Sequence, residues 1–474
     1  MTPKKILHFA IGPLGGALLG IISLPIIAWI FSQEDIGKIA LLQVVLSFTT
    51  LFFTLGLDQG YVREYHESTN RPLLLKTAVL PGFILLMSTL VLCLSFGTFL
   101  SQIVFDMKST GISWLLSVAL VCTFISRFLS LVLRMDERGI AFSMSQLLPK
   151  AFVLAIILAY FLLDVAKSFE YLLIAYTLAI VLTCFIFIWN TRTVWHSCFF
   201  EKIKLQQFKQ MLNFGMPLIL GGVAFWGLTS IDRVLLSRWS TFSELGVYSV
   251  SVSFAAAATI FQSVFSTVWA PTVYKWASKD EGYEKVIMVS RYVLLAVIML
   301  FCFAGLLSWI VPFVLPSEYD AVQWILVACL AYPLLYTLSE TTVVGIGISR
   351  KSRYALLASA LAFCVNFICN IFLIPKFGAA GAASSTAFAF WTFLIFRTEF
   401  SILVWKPFPR VALYTFTFMA VAGAIIAALK QDRLGYFLYI YWFVLFIISC
   451  WFFRVELLLI KIKIYELVRK KVKN

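Results

Sequence analysis

The sequence predicts an all-α integral membrane protein of about fourteen transmembrane helices. They are expected as two parallel six-helix bundles plus two C-terminal helices, with both termini in the cytoplasm. Three observations carry this expectation: a surplus of apolar residues, their recurrence in stretches long enough to span a bilayer, and an internal repeat.

The chain has 474 residues, 61% hydrophobic and 13% charged, and its mean hydropathy is +0.94. A soluble domain is nearer half apolar and a quarter charged. The surplus exceeds what one soluble core can use, which excludes soluble, disordered and fibrous classes. Nine cysteines lie singly, with no CxxC pair, and the only histidines are His8, His66 and His196. Neither a disulfide framework nor a metal site is indicated. The cysteines read as small apolar packing residues.

A membrane helix needs about 20 mostly apolar residues to cross about 30 Å of hydrocarbon. Such stretches fall near 7–31, 37–58, 74–98, 112–133, 140–163 and 169–190. A second set lies near 212–236, 246–270, 287–310, 322–346, 354–374 and 379–403, followed by 411–429 and 434–453. The connections are too short for a separate soluble domain. The first stretch follows Lys4 and Lys5 as a signal peptide would, but it is longer and lacks an Ala-x-Ala site, so it reads as a retained helix.

Lys and Arg number 38 against 23 Asp and Glu, a net +15. They concentrate on the N-terminus, the even-numbered connections and the C-terminus, which places those segments in the cytoplasm. Arg127 and Lys150 fall inside spans. The tail from Lys461 to Lys473 is basic and follows a span, so it is expected to touch anionic membrane lipid. Nucleic acid is a poor partner, because the basic residues flank spans and form no separate module.

The segment Ser32-Gln33-Glu34-Asp35-Ile36-Gly37 before the second span returns as Thr241-Phe242-Ser243-Glu244-Leu245-Gly246 before the eighth, and at that offset Tyr65 falls on Tyr274. Each copy is a capping box: Ser or Thr, an acid three residues on, then an apolar run. Gly12-Pro13-Leu14 similarly answers Met216-Pro217-Leu218. An even number of helices per unit makes the repeats parallel. The expected divisions are 1–200, 201–405 and 406–474. Two-bundle designs place a substrate site between halves and alternate its access, which favours transport over duplication for structure alone.

Polar groups within spans are costly and normally face a cavity or a partner. The fourth span carries Thr123, Ser126, Arg127, Ser130 and Arg134 at helical spacing, and Arg138 continues the line. The fifth carries Ser143, Gln146 and Lys150 beside Pro149, and the second carries Gln43, Ser47, Thr50 and Thr54, ending at Asp58. The tenth carries Tyr332, Tyr336 and Glu340, and the eleventh Asn366 and Asn370. The cationic line suits an anionic headgroup, because guanidinium binds phosphate in a bidentate fork. Arg127, Lys150, Arg134, Arg138 and Gln146 are the candidate substrate-binding residues. For Arg134 and Arg138 the competing reading is cytoplasmic charge alone; for Arg127 and Lys150 it is a structural pair with Asp58 or Glu340. Glu340, Asp58 and Asp232 are candidates for ion coupling, although Asp232 could simply pair with Arg233. No catalytic residue, metal or cofactor is indicated, only proton or sodium coupling.

Several strings resemble the polysaccharide transporter branch of the multidrug/oligosaccharidyl-lipid/polysaccharide flippase superfamily, which includes the O-antigen flippases. They are EDIG (34–37), TLGLDQGYVREY (54–65), FGMPL (214–218), SIDRVLLSRW (230–239), LGVYSVS (245–251) and LIPKFGAAGAA (373–383). The resemblance implies two six-helix bundles in a V. It further implies translocation of an undecaprenyl-diphosphate-linked oligosaccharide, such as an O-antigen repeat unit, across a bacterial inner membrane. It makes a lipid-linked oligosaccharide the cargo, with polysaccharide polymerase and chain-length machinery as partners, and suggests helices 13 and 14 as a groove for the prenyl chain. The Gly378–Gly381 segment reads as close helix packing whatever the cargo. The rivals are a peptidoglycan-precursor flippase, a drug or cation antiporter, and a membrane glycosyltransferase or polymerase. An antiporter for cations should present acids in its cavity, and an enzyme should carry a sizeable outer loop with catalytic carboxylates. Here the deepest charges are Arg127 and Lys150 and the odd-numbered connections are short, so no enzyme is expected.

Overall fold

The computed structural model describes residues 3–198, 201–277 and 282–462, which are helical with no strand among them. The part of the basic tail beyond Ile462 lies outside the described residues. The chain divides into two compact units, Met1–Ser249 and Val250–Asn474.

In the first unit, α1 is Pro3–Ile30, α2 Gln33–Phe53, α3 Leu57–Glu64, α4 Arg71–Ser95 and α5 Phe99–Phe105. Next come α6 Thr110–Met135, α7 Gly139–Leu162, α8 Phe169–Asn190, α9 Arg192–Cys198, α10 Leu205–Trp239 and α11 Phe242–Ala255, whose last turns enter the second unit. The second unit holds α12 Ala257–Ala277, α13 Tyr283–Leu307, α14 Val311–Val314, α15 Val322–Cys329 and α16 Ala331–Thr342. It ends with α17 Val344–Ile348, α18 Arg353–Val404, α19 Val411–Lys430 and α20 Tyr436–Phe452.

Among the described residues, 10 helices are long and apolar enough to cross a membrane, or up to 12 if each of two bent pairs is one span. The pairs are Phe242–Ala255 with Ala257–Trp276, bent by 47°, and Tyr436–Phe452 with Arg454–Ile462, bent by 70°. Large apolar side chains such as Leu162 and Trp189 are exposed, as a hydrocarbon solvent requires. This is a multi-pass membrane protein.

Several breaks depart from the continuous helices expected from apolar runs. The second expected span divides at Leu55 and Gly56, both left-handed (φ 51° and 67°), and Asp58 sits in the first turn of α3. Gly56 is required there, since a Cβ would lie 2.5 Å from the Gly215 carbonyl oxygen. The tenth span is interrupted at Leu330, three residues before Pro333, whose ring cannot donate to the helix. By contrast, the departure from helical geometry at Gly378 within α18 (φ 50°, ψ −125°), just past Pro375, falls where the eleventh and twelfth expected spans are joined. A side chain at Gly381 would meet the Leu373 carbonyl, so the small residues there permit close backbone approach.

Two further glycine contacts organise the first unit. Against α7, Gly12 and Gly15 of α1 leave room for Ser143 and Leu147: a Cβ would come 2.9 Å from Ser143 Cα and 2.7 Å from Leu147 Cδ2. The second contact joins the two copies of the repeat. Ser32 Oγ accepts from Asp35 N at 3.2 Å and Thr241 Oγ1 from Glu244 N at 3.1 Å, so both N-caps form. Gly37 packs on the Phe242 carbonyl, and Gly246 packs on the Gln33 carbonyl. Phe242 corresponds to Gln33 in the repeat, so the contact is reciprocal.

Candidate functional site

The polar stripes of α2 and α6 meet around a cavity of about 530 Å³ in the first unit. The break at Gly56 turns Asp58 into it. From α2 come Ser47, Thr50 and Thr54; from α6, Thr123, Ser126, Arg127 and Ser130; from α7 and α8, Ser145 and Thr183. Most of these hydroxyls donate to their own helix: Ser47 to Val44 O, Thr50 to Leu46 O, Thr123 to Ala119 O and Thr183 to Ala179 O, all at 2.7–2.8 Å. With their protons engaged, they present oxygen lone pairs to the cavity. The wall is therefore rich in acceptors, with one guanidinium as its strong donor.

Arg127 Nη2 lies 2.6 Å from Asp58 Oδ2. The aspartate is 8% exposed and the arginine 41%, so the acid is buried behind the pair while the guanidinium faces the cavity. Asp58 also accepts from Gln59 Nε2 at 3.1 Å, in the first turn of α3. Nη2 commits one hydrogen bond to Asp58, and guanidinium offers five N–H donors. The competing reading of Arg127 as part of an ion pair with Asp58 describes the observed geometry.

The other expected residues divide. Arg134 is exposed and does not line this cavity. Arg138 donates to Asn190 O at 2.9 Å and Asn190 Oδ1 at 3.2 Å, where it satisfies the end of α8. Lys150 and Gln146 lie on the face of α7 that meets α1, not among the residues lining the cavity with Arg127. Lys150 Nζ donates to Gly16 O at 2.6 Å. Asp232 is fully buried and accepts from Tyr248 Oη at 2.9 Å.

Nearer the loops, the Tyr65 phenol donates to Asp136, and Arg71 stacks on the Tyr65 ring at 4.6 Å. Burial, then the hydrogen bond to Asp136, pushes the Tyr65 phenol up to about 12. This cluster ties the α3–α4 and α6–α7 connections together.

The second unit contains its own buried pair. Glu340 Oε1 is 2.8 Å from Arg397 Nη2, with the side chains 15% and 11% exposed. Arg397 also donates to Ser339 Oγ at 2.7 Å and lies over the Tyr336 and Phe393 rings at 5.3 and 5.0 Å. Glu340 and Arg397 border a cavity of about 460 Å³ together with Tyr274 and Arg350. Arg397 was not among the expected site residues, although a cation inside the 379–403 stretch is the same signal that marked Arg127. Asn370 donates to Asn366 Oδ1 at 2.8 Å, both buried.

A family model described as "Polysaccharide biosynthesis protein" matches residues 3–276. Over 197 residues the chain is 24% identical to the probable low-salt glycan biosynthesis flippase Agl15 of Haloferax volcanii, covering 40% of this chain and 41% of that protein. The match thus spans about two fifths of that relative's length. Among solved structures, the lipid II flippase MurJ in an inward closed conformation superposes with a TM-score of 0.69 at 13% identity, covering 95% of this chain and 100% of that one. An inward-facing multidrug resistance MATE family transporter of the MOP superfamily gives 0.52 at 12% identity, covering 86% and 95%. These likenesses show the fold, and the family model covers more than half of the chain. The protein belongs to the polysaccharide biosynthesis protein family.

Proposed function

We propose that the protein is a flippase for a lipid-linked glycan, carrying an undecaprenyl-diphosphate-linked oligosaccharide from the cytoplasmic to the outer leaflet of a bacterial inner membrane by alternating access. The observation that carries this reading is the Arg127–Asp58 pair in a cavity whose wall carries Ser and Thr hydroxyls among apolar side chains. Buried acid holds the guanidinium in place, and its remaining donors suit phosphate. The acceptor oxygens around it suit sugar hydroxyls. Transport fits the family membership and the glycan flippase relative better than catalysis does.

Fourteen spans with both termini inside is the topology we favour. Counting α1 as a span and dividing α18 at Gly378 raises twelve to that number. The cation-rich connections support this orientation. The division into 1–200, 201–405 and 406–474 follows from the repeat. Lys150, Gln146, Arg134 and Arg138 are proposed as an outer set that guides the headgroup, with Arg127 at the centre. Asp58 and Glu340 are the proposed coupling acids, since each is held by an arginine that an anionic cargo could engage instead. Asp232, which accepts from the Tyr248 hydroxyl, is proposed as a third coupling acid.

Reconstituted vesicles loaded with fluorescent lipid-linked oligosaccharide test the reading. Wild type should move the lipid between leaflets, and Arg127→Ala at equal reconstitution should not. Equal rates would overturn it. Imposed proton or sodium gradients separate the coupling ions. A lipid II substrate tests the second reading, peptidoglycan-precursor transport, which the MurJ-like fold favours.

A further inference from the structure

On the side of α6 away from Arg127, a second cavity of about 350 Å³ lies among α4, α6, α8 and α9. Ile125 and Leu129 of α6 line it, while Thr123, Ser126, Arg127 and Ser130 line the polar cavity, so one helix separates two environments. Val79 and Phe83 of α4, with Trp195 of α9, complete its apolar wall. The only charged side chain is Lys76, whose Nζ reaches Glu201 O at 2.8 Å. The wall offers water no set of polar partners, and apolar cavities of this kind take apolar occupants.

α9 gives the occupant its character. Val194, Trp195 and Cys198 are partly buried, whereas Arg192, Thr193, His196 and Ser197 are exposed. The helix is therefore amphipathic, with its apolar edge on the groove, the pattern of a segment lying at a membrane interface. Burial pushes the Cys198 thiol up to about 11. The Lys76 bond carries the following segment, Glu201 to Lys204, to this end of the groove, where Lys202 and Lys204 are exposed. Arg192, exposed at the start of α9 and lying over the Trp189 ring at 4.4 Å, adds a third cation to the chain segment that borders the apolar slot. A slot of that kind beside cations matches a hydrocarbon chain joined to an anionic headgroup. The cargo is a different matter, because Leu129 of this groove packs with Phe187 of the polar cavity, one apolar cluster dividing the two.

We propose that this groove binds an acyl chain of an anionic glycerophospholipid, with Arg192, Lys202 and Lys204 holding its headgroup. The site is independent of the transported glycan. Native mass spectrometry of the full protein, released from nanodiscs of phosphatidylcholine with phosphatidylglycerol, tests it. Wild type should retain one phosphatidylglycerol in preference to phosphatidylcholine. Val79→Trp and Ile188→Phe, which fill the groove from two helices, should each lower that retention by about tenfold or more, and Ser197→Trp on the outer face of α9 should not. Replacing Arg192, Lys202 and Lys204 by Gln should keep a lipid in place while removing the preference for phosphatidylglycerol. Equal retention of the two lipids by wild type would overturn the proposal. So would undiminished retention by whichever filling variant folds, or displacement of the lipid by added undecaprenyl phosphate.

Discussion

Asp58 and Arg127 face each other across a 2.6 Å ion pair that joins the first turn of α3 to the middle of α6. Its asymmetry matters more than its strength. The acid is buried and the guanidinium is open to the cavity, so an anion entering the cavity meets Arg127 before Asp58.

This asymmetry separates the two partners by experiment. Arg127→Ala should abolish transport and destabilise the protein, because a buried carboxylate loses its counter-charge. Arg127→Lys restores charge without the fork, and transport should remain reduced by about tenfold. Asp58→Asn keeps the side-chain shape and frees the guanidinium. Binding of the lipid-linked oligosaccharide should tighten while its release slows, read as a lower half-saturation and a lower maximal rate in vesicles.

Arg397 and Glu340 form the more enclosed pair. Removing one partner of a buried pair costs about 3–5 kcal/mol, mostly because the other charge is stranded. Arg397→Ala should therefore lower Tm strongly in detergent. The double change Arg397→Met with Glu340→Gln should recover most of the loss, since neither group is then left charged and unpaired. A double variant no more stable than Arg397→Ala would refute this account.

Lys150 reaches the Gly16 carbonyl of α1 from α7. Hydrogen bonds to charged groups contribute about 1.5–3 kcal/mol. Lys150→Met should lower Tm accordingly, and Gly16→Leu should separate the helices and remove the same contact by another route. If Lys150 also guides cargo, Lys150→Met will reduce transport more than Gly16→Leu does at matched stability. Vesicle flipping rates beside Tm values make that comparison.

Gly37 and Gly246 each pack on a carbonyl of the other repeat copy. Gly37→Ala and Gly246→Ala should cost similar amounts, about 1–3 kcal/mol each, from overpacking. Because both changes open the same contact, the double variant should cost less than the sum, a coupling measurable by a double-mutant cycle on Tm.

The helices were legible because a bilayer demands long apolar runs with internally satisfied backbones. Their interruptions were less so. The turn at Leu55 and Gly56 depends on the approach of Gly215, a residue far away in sequence, and no local pattern announces it. The stripe on α6 correctly marked the cavity wall from Thr123 to Ser130, since helical spacing fixes which side chains share a face. Spacing could not say where that face stops being wall: Arg138 continues the line but turns back to Asn190. The α7 stripe shows the same limit. Ser143, Gln146 and Lys150 do share a face, yet that face meets the glycines of α1, and only the packing of α1 on α7 reveals it. Arg397 is the one Lys or Arg of the 379–403 stretch, but its pairing with Glu340 and its place over the Tyr336 ring depend on residues that only the fold brings to it.

The reciprocal glycine contact has a further meaning in the terms used for oligomers. A surface patch that meets a copy of itself about a two-fold is isologous, and here both copies of the patch belong to one polypeptide. An isologous patch is self-complementary before any duplication. A chain carrying only one capping segment could therefore have met a second copy of itself through this same glycine, as a homodimer. Fusing the copies would remove the entropy cost of bringing two molecules together and leave each half free to diverge, Asp58 and Arg127 on one side, Glu340 and Arg397 on the other.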